Sequence, residues 1–249
     1  MTTTPEEIAN LVSATNALLD EIIGKEGVRD AQVLAYGAQI NGVIANFLSA
    51  SRRTIFVHAT LGDDLNPGTE AEPMRTIDEA LKSIPAGGQL TVNLLSDYTV
   101  DRVITLQGGS LFVAGYNEQH RLTFADVNPL DRTLERSPGF MPVQGGNLQY
   151  VRLQNLYVSG ANVPTPPECL SPGFFQVNGL MAVRFHACEL ELPAGSDQNV
   201  FASPNGGVVT LVVTNSIVPP EMAGRWVDNV AAGTDPLTLR TVVSNLSAL

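Results

Sequence analysis

The chain has 249 residues, 14 Lys and Arg against 25 Asp and Glu, a formal net charge of −11, and 44 % hydrophobic but only 16 % charged residues. A disordered acidic chain would be apolar-poor and charge-rich, so that class is excluded. Nothing supplies the basic stripe that nucleic acid requires.

The acidity is spread, at −4, −4 and −3 over residues 1–50, 51–136 and 137–249, and reads as solubility rather than as a tail. Two cysteines, Cys169 and Cys188, make no disulfide framework and lack the companion ligands of a metal site, so both are expected as small buried hydrophobes. No basic segment followed by an apolar one opens the chain, and no apolar run approaches the roughly 20 residues that span a bilayer. We expect no signal peptide, no membrane insertion and synthesis in a cytoplasm.

Residues 5–50 predict helix. Pro5 follows Thr4, a suitable N-cap, and Glu6 and Glu7 occupy the first turn. Ile8, Leu11, Thr15, Leu18 and Ile22 follow a 3-4 spacing, as do Val33, Tyr36, Ile40, Val43 and Phe47. That is the seam of a coiled coil, interrupted by an 11-residue step holding Gly24 and Gly27. Such narrow seams cannot bury themselves. Either the segment pairs with copies of itself, or the glycines turn it into a helical hairpin. Self-assembly is the expectation, and bulky Tyr36 and Phe47 suit more than two strands.

From Arg52 the composition changes. Ile55-Phe56-Val57 leads into the turn-rich Gly62-Asp63-Asp64-Leu65-Asn66-Pro67-Gly68, and Thr76 is expected to cap a short helix carrying Ile77, Ala80, Leu81 and Ile84, ended by Pro85-Ala86-Gly87-Gly88. Beyond Gly88, short β-rich runs alternate with Gly, Asn and Pro. Val151-Arg-Leu153-Gln-Asn155-Leu-Tyr157-Val158 overlays the runs beginning at Val183, Leu211 and Thr241, at successive offsets of 32, 28 and 30, and partial copies begin at Gly88 and Gly109. Degenerate strand-rich units without intervening helices predict a β-solenoid, in which stacking supplies the core that each unit lacks. Asparagines 155, 215 and 245 fit turn positions stacked one above another. A β-sandwich is the alternative. The expected organisation is a helical trimerisation and attachment segment at 1–51, a cap of strand, loop and short helix at 52–88, and a parallel β-helix at 89–249.

The stretch from Thr54 to about Gly115 resembles the start of a right-handed parallel β-helix of the pectate-lyase-like superfamily. The resemblance rests on Phe56-Val57, on Gly62 to Thr69, and on Pro73-Met74-Arg75-Thr76-Ile77-Asp78-Glu79-Ala80-Leu81. Ala14-Thr15-Asn16-Ala17-Leu18-Leu19-Asp20, leading to Gly24-Lys25, is similar to helical N-termini of bacteriophage tail fibres and tailspikes. The resemblance implies a trimeric, elongated virion appendage: a homotrimer that docks to tail, baseplate or capsid proteins through its helices and presents a surface to host polysaccharide. Depolymerising tailspikes are much longer than this chain. A polysaccharide-depolymerising enzyme, and a capsid head fibre or tail adaptor, are the alternatives.

Glycan hydrolysis needs two carboxylates roughly 5–10 Å apart. Glu189 and Glu191 lie two apart on a predicted strand and share a face, with Cys188, Leu190 and Leu192 inward and Asp197 in the next turn. Exposed glutamates on a strand also serve to keep a sheet from aggregating, so we expect no enzyme. Asp63, Asp64, Asn66, Glu70 and Glu72 lack the spacing of a calcium loop and read as a structural turn. His58, His120 and His186 have no metal spacing and are expected at the surface; no cofactor or metal is expected. Residues 117–142 read as a long excursion whose Asp126, Asp131, Glu135, Arg121, Arg132 and Arg136 form salt bridges. Residues 164–168 read as a contact loop, and Trp226 as a packing residue.

Overall fold

In a computed structural model of the chain, residues 5–107, 109–126, 138–142, 149–161, 173–177, 179–194, 196, 198–202 and 207–249 are described. The chain divides into two compact units, Met1–Ser49 and Ala50–Leu249.

The first unit is helix α1, which runs unbroken over Pro5–Ala50. The helical hairpin is therefore not formed: the backbone stays helical through Gly24 and Gly27, each of which costs about 1 kcal/mol relative to alanine. At about 1.5 Å per residue its 46 residues extend for about 69 Å. Every described side chain of α1 is exposed, including Val12, Leu18, Leu19, Ile23, Leu34, Tyr36 and Ile40. Among the seam positions, only the side chains of Thr15, Leu18, Tyr36 and Ile40 fall within the described residues; those of Ile8, Leu11, Ile22, Val33, Val43 and Phe47 lie outside them.

The second unit is mainly β. In chain order it comprises β1 (Arg52–Val57), α2 (Ile77–Lys82), β2 (Gln89–Leu94), β3 (Tyr98–Val100), β4 (Val103–Leu106), β5 (Gly109–Gly115), β6 (His120–Phe124) and β7 (Gly139–Pro142). It continues with β8 (Gln149–Gln154), β9 (Leu156–Ser159), β10 (Gly173–Gln176), β11 (Leu180–His186), β12 (Glu189–Glu191), β13 (Asn199–Ala202), β14 (Val208–Thr214) and β15 (Val242–Ser244). The strands form three sheets in which every pairing is parallel: a seven-stranded sheet A (β1-β2-β5-β8-β11-β14-β15), a four-stranded sheet B (β3-β6-β9-β12) and a four-stranded sheet C (β4-β7-β10-β13). From β2 to β14 the chain visits A, B and C in strict rotation.

Registration follows from burial. Leu111, Val151, Val183 and Leu211 stack in one inward row of sheet A, and Val92, Val113, Leu153, Phe185 and Val213 in the next. A slip of one residue in any strand would turn its buried row outward. The 32 and 28 offsets read from sequence are the pairings found, but the last is not: Leu211 pairs with Ser244, an offset of 33 rather than 30. The partial copy at Gly109 is displaced likewise: the repeat alignment sets it against Gly146 in sequence, and it pairs with Gln149. Residues 117–142 are not one excursion, because β6 and β7 lie within them.

The passage from sheet A to sheet B turns on a left-handed residue: Asn155, Ala187 and Asn215 have φ of 54°, 52° and 53°. Asn155 Nδ2 donates to the carbonyls of Gly115 and Glu118 in the preceding turn, at 3.2 and 3.1 Å. Asn245 does a different job. Its Oδ1 accepts from Val213 N at 2.8 Å and its Nδ2 donates to Val213 O at 2.7 Å, so the amide substitutes for a backbone partner beside the last strands.

Sheet C carries a row that sequence patterning missed. Ile104, Phe140, Phe175 and Phe201 stand in register, with ring centroids 5.7 and 5.6 Å apart along the phenylalanines. Phe185 meets Phe175 edge-on, and Trp226, only 3 % exposed, meets Phe185 edge-on at 6.3 Å. Trp226 is a packing residue.

At the other end, the loop between β1 and α2 lies along β1. Phe56 N donates to Gly68 O, and Met74 N to Phe56 O. The acidic turn acts as a clasp: Asp64 Oδ1 accepts from Arg75 N and Thr76 N, and its Oδ2 from the Thr76 hydroxyl. Thr76 Oγ1 in turn accepts from Glu79 N, capping α2.

Candidate functional site

The outward side chains of sheet B bring together the two glutamates that the sequence pairs on one strand face. Arg121 on β6 stands beside Tyr157 on β9, which stands beside Glu189 on β12, and Glu189 bridges to Ile217. Leu190, between the two glutamates, is buried at 3 % exposure, so Glu189 and Glu191 both face outward about 7 Å apart. Cys188 is buried as expected, and Leu192, half-buried, packs against the core. Arg121, Tyr157, Glu189, Leu190, Glu191, Leu192, Pro219 and Glu221 line a groove of about 310 Å³.

Arg121 organises the groove. Its Nη1 donates to Glu191 Oε2 at 2.6 Å, and its guanidinium sits 5.8 Å from the centre of the Tyr157 ring. Its backbone N–H donates to Asp97 Oδ1 at 2.7 Å. Donating to the Glu191 carboxylate raises the Arg121 pKa above its ordinary value. Both partners are exposed, so the pair contributes about 0–1 kcal/mol and orients the groove more than it stabilises the fold. Glu189 and Glu221 have no ion-pair partner among the described residues. Asp197, the third carboxylate candidate, lies outside the described residues, as do Cys169, Asp131, Arg132, Glu135, Arg136 and residues 164–168.

A larger cleft of about 570 Å³ lies beside α2 and is lined by Asp64, Arg75, Glu79, Lys82, Tyr98 and Arg102, among others. Its polar groups are engaged locally: Lys82 with Glu79 at 2.7 Å, Arg102 with Asp101 at 2.9 Å, and the Tyr98 hydroxyl accepting from Ile77 N at 3.1 Å. The Arg102 hydrogen bond lowers the Asp101 pKa. Burial raises that of Tyr98.

The histidines depart from expectation in one case. His120 is 7 % exposed, at the start of β6, with Nδ1 3.9 Å from Asp97 Oδ1. It is buried because its position on β6 falls in the inward row with Leu122 and Phe124. His58 and His186 are half-buried; His186 Nδ1 and Thr214 Oγ1 share a hydrogen bond of 2.9 Å across neighbouring strands. Among the described residues, no group of His, Cys, Asp and Glu has the arrangement to hold a metal ion.

Sequence reasoning does not join Tyr157, Arg121 and Glu221 to Glu189. The offset of 32 lays Tyr157 over Glu189, a signal that could have found that pair, but Arg121 and Glu221 belong to other circuits and have no sequence spacing to reveal them. No protein-family model matches the chain, and no curated protein or solved structure matches it significantly.

Proposed function

We propose that the chain is a structural and adhesive fibre or spike protein of a phage-like particle, a homotrimer whose N-terminal helices form a coiled coil and whose β unit is a short right-handed parallel β-helix. The observation that carries this reading is the exposure of apolar side chains along α1. Leu18, Tyr36 and Ile40 are 58, 63 and 59 % exposed on a helix with no described side chain buried. A lone helix gains little from propensity; it is stabilised when an apolar face packs against a partner. The unbroken backbone favours the same reading: eleven residues at about 100° each leave Val33 only about 20° from Ile22, so the two seams share one face.

The strict rotation through three parallel sheets supports the β-helix, with the right-handed sense that crossovers between parallel strands adopt. On this reading the helices dock to other virion proteins, and the loops and faces of the β unit are presented to host surface polysaccharide. Glu191 is held by Arg121 as an ion pair, which suits a contact surface better than a proton donor in glycan cleavage.

Light scattering on the full chain tests the reading. A mass near three times 26.5 kDa is expected, and a single-chain mass at micromolar concentration overturns it.

A further inference from the structure

Sheet A holds a feature that the trimer reading does not use. Its seven strands contain no Asp or Glu, although the chain has 25. Its outward rows instead carry Phe112, Tyr150, Arg152, Arg184, Val212 and Val243 among uncharged polar residues such as Thr91, Gln154 and Thr210. Phe112 and Tyr150 pack edge-to-face at 5.6 Å.

Arg152 and Arg184 are direct neighbours on adjacent parallel strands, a like-charge pair that disfavours the isolated sheet. Nε of each is buried without a hydrogen-bond partner among the described residues, and Arg184 Nη2 donates to Thr214 Oγ1 at 3.4 Å. Aromatic residues and arginine, without carboxylates or lysine, are the composition of a protein–protein interface core rather than of a solvated face.

We propose that this face docks against the glutamate groove of sheet B on a second copy of the chain, with Arg152 and Arg184 placed toward Glu189 and Glu221. The assignment rests on the reading of the chain as a homo-oligomer. Charge complementarity selects the occupant. Glu189 and Glu221 lack ion-pair partners among the described residues, in a groove of about 310 Å³ that already holds one arginine over Tyr157. Arginine presents a planar fork of donors that matches a carboxylate. Sheet A against itself would set arginine on arginine, so the contact is head-to-tail, and a head-to-tail contact closes into a ring when its rotation allows.

Seven strands about 4.8 Å apart, each presenting about 20 Å of its length, make a face of about 600 Å². That is near, but below, the ~800 Å² per partner of a self-sufficient interface, so the contact supports an assembly held elsewhere as well.

The full chain tests this with the photo-crosslinking amino acid benzoylphenylalanine placed at Tyr150, in a mixture of isotopically heavy and light chains. Mixed heavy–light crosslinks to peptides containing Glu189 or Glu221 are expected. Arg152→Glu with Arg184→Glu should cut their yield at least tenfold, and adding Glu189→Arg with Glu221→Arg should restore it. Circular dichroism confirms that each variant is folded. If light scattering gives a trimer but no such crosslink forms, the docking assignment is overturned while the trimer reading stands; a single-chain mass overturns both. Retention on an immobilised anionic polysaccharide that the arginine reversal abolishes, without any interchain crosslink, also overturns it and makes the face a glycan site.

Discussion

Ala187 occupies a backbone conformation that its neighbours in the stack fill with asparagine. At φ 52° it sits in the left-handed region, where a Cβ-bearing residue other than Asn or Asp is disfavoured, whereas Asn155 and Asn215 hold the equivalent corners above and below. Replacing Ala187 with Asn should therefore stabilise the β unit by about 0.5–1 kcal/mol, raising Tm by about 1–4 °C in a thermal melt.

The Cys188 thiol, 2 % exposed, donates to Leu153 O at 3.3 Å, and burial pushes its pKa above the ordinary value near 9.0. The folded state thus favours the protonated thiol. That contribution is complete below the unfolded pKa and is lost as pH rises through the folded one; buried Tyr98, whose pKa burial also raises, acts in the same sense. Stability should decline above about pH 9 in denaturant titrations across pH. In a Cys169→Ser variant, Cys188 should resist a thiol reagent at pH 8 until the protein unfolds.

The clasp around Asp64 and the aromatic row of sheet C test different elements. Asp64 ties two backbone N–H groups and one hydroxyl at the start of α2, so Asp64→Ala leaves three donors without their acceptor and should cost about 2–3 kcal/mol in chemical denaturation. Asn at the same position keeps an acceptor oxygen and should lose less. Phe175 lies between Phe140 and Phe201 and is wholly buried. Phe175→Ala opens a cavity that rigid sheets cannot collapse, and should cost about 3–5 kcal/mol. Equal effects from Phe175→Ala and from an exposed-residue control would contradict the buried row.

On the proposed reading the assembly is held by α1. Ile40→Asp and Phe47→Asp should reduce the light-scattering mass toward a single chain while the strand signal in far-UV circular dichroism persists, because a carboxylate placed in a packed seam has no partner. Persistence of the assembly in both variants would move the self-association away from this helix.

Much of sheet A is legible in the amino-acid sequence. β2, β5, β8, β11, β14 and β15 each overlap a repeat copy, with those at β5 and β15 displaced in register, and asparagine corners stand at positions 155 and 215. Period-two apolar alternation and a left-handed turn are local requirements, so local sequence records them. The spacing between circuits is not local. Successive partners in one row of sheet A, Leu90, Leu111, Val151, Val183, Leu211 and Ser244, lie 21, 40, 32, 28 and 33 residues apart, because excursions of any length can leave and re-enter the stack.

For that reason the final register, the burial of His120 and the phenylalanine row of sheet C emerge only from the stacked circuits. So does the meeting of Arg121, Tyr157, Glu189 and Glu221 in one groove. The arginine face lies between these cases: the offset of 32 already sets Arg152 over Arg184, but only registration across seven strands shows that no carboxylate stands among them. The helix, the loop and short helix after β1, and the apolar alternation of sheet A are written in the sequence itself, because each answers to a local pattern. Which outward side chains became neighbours depended on register, which apolar burial inside the stack selects.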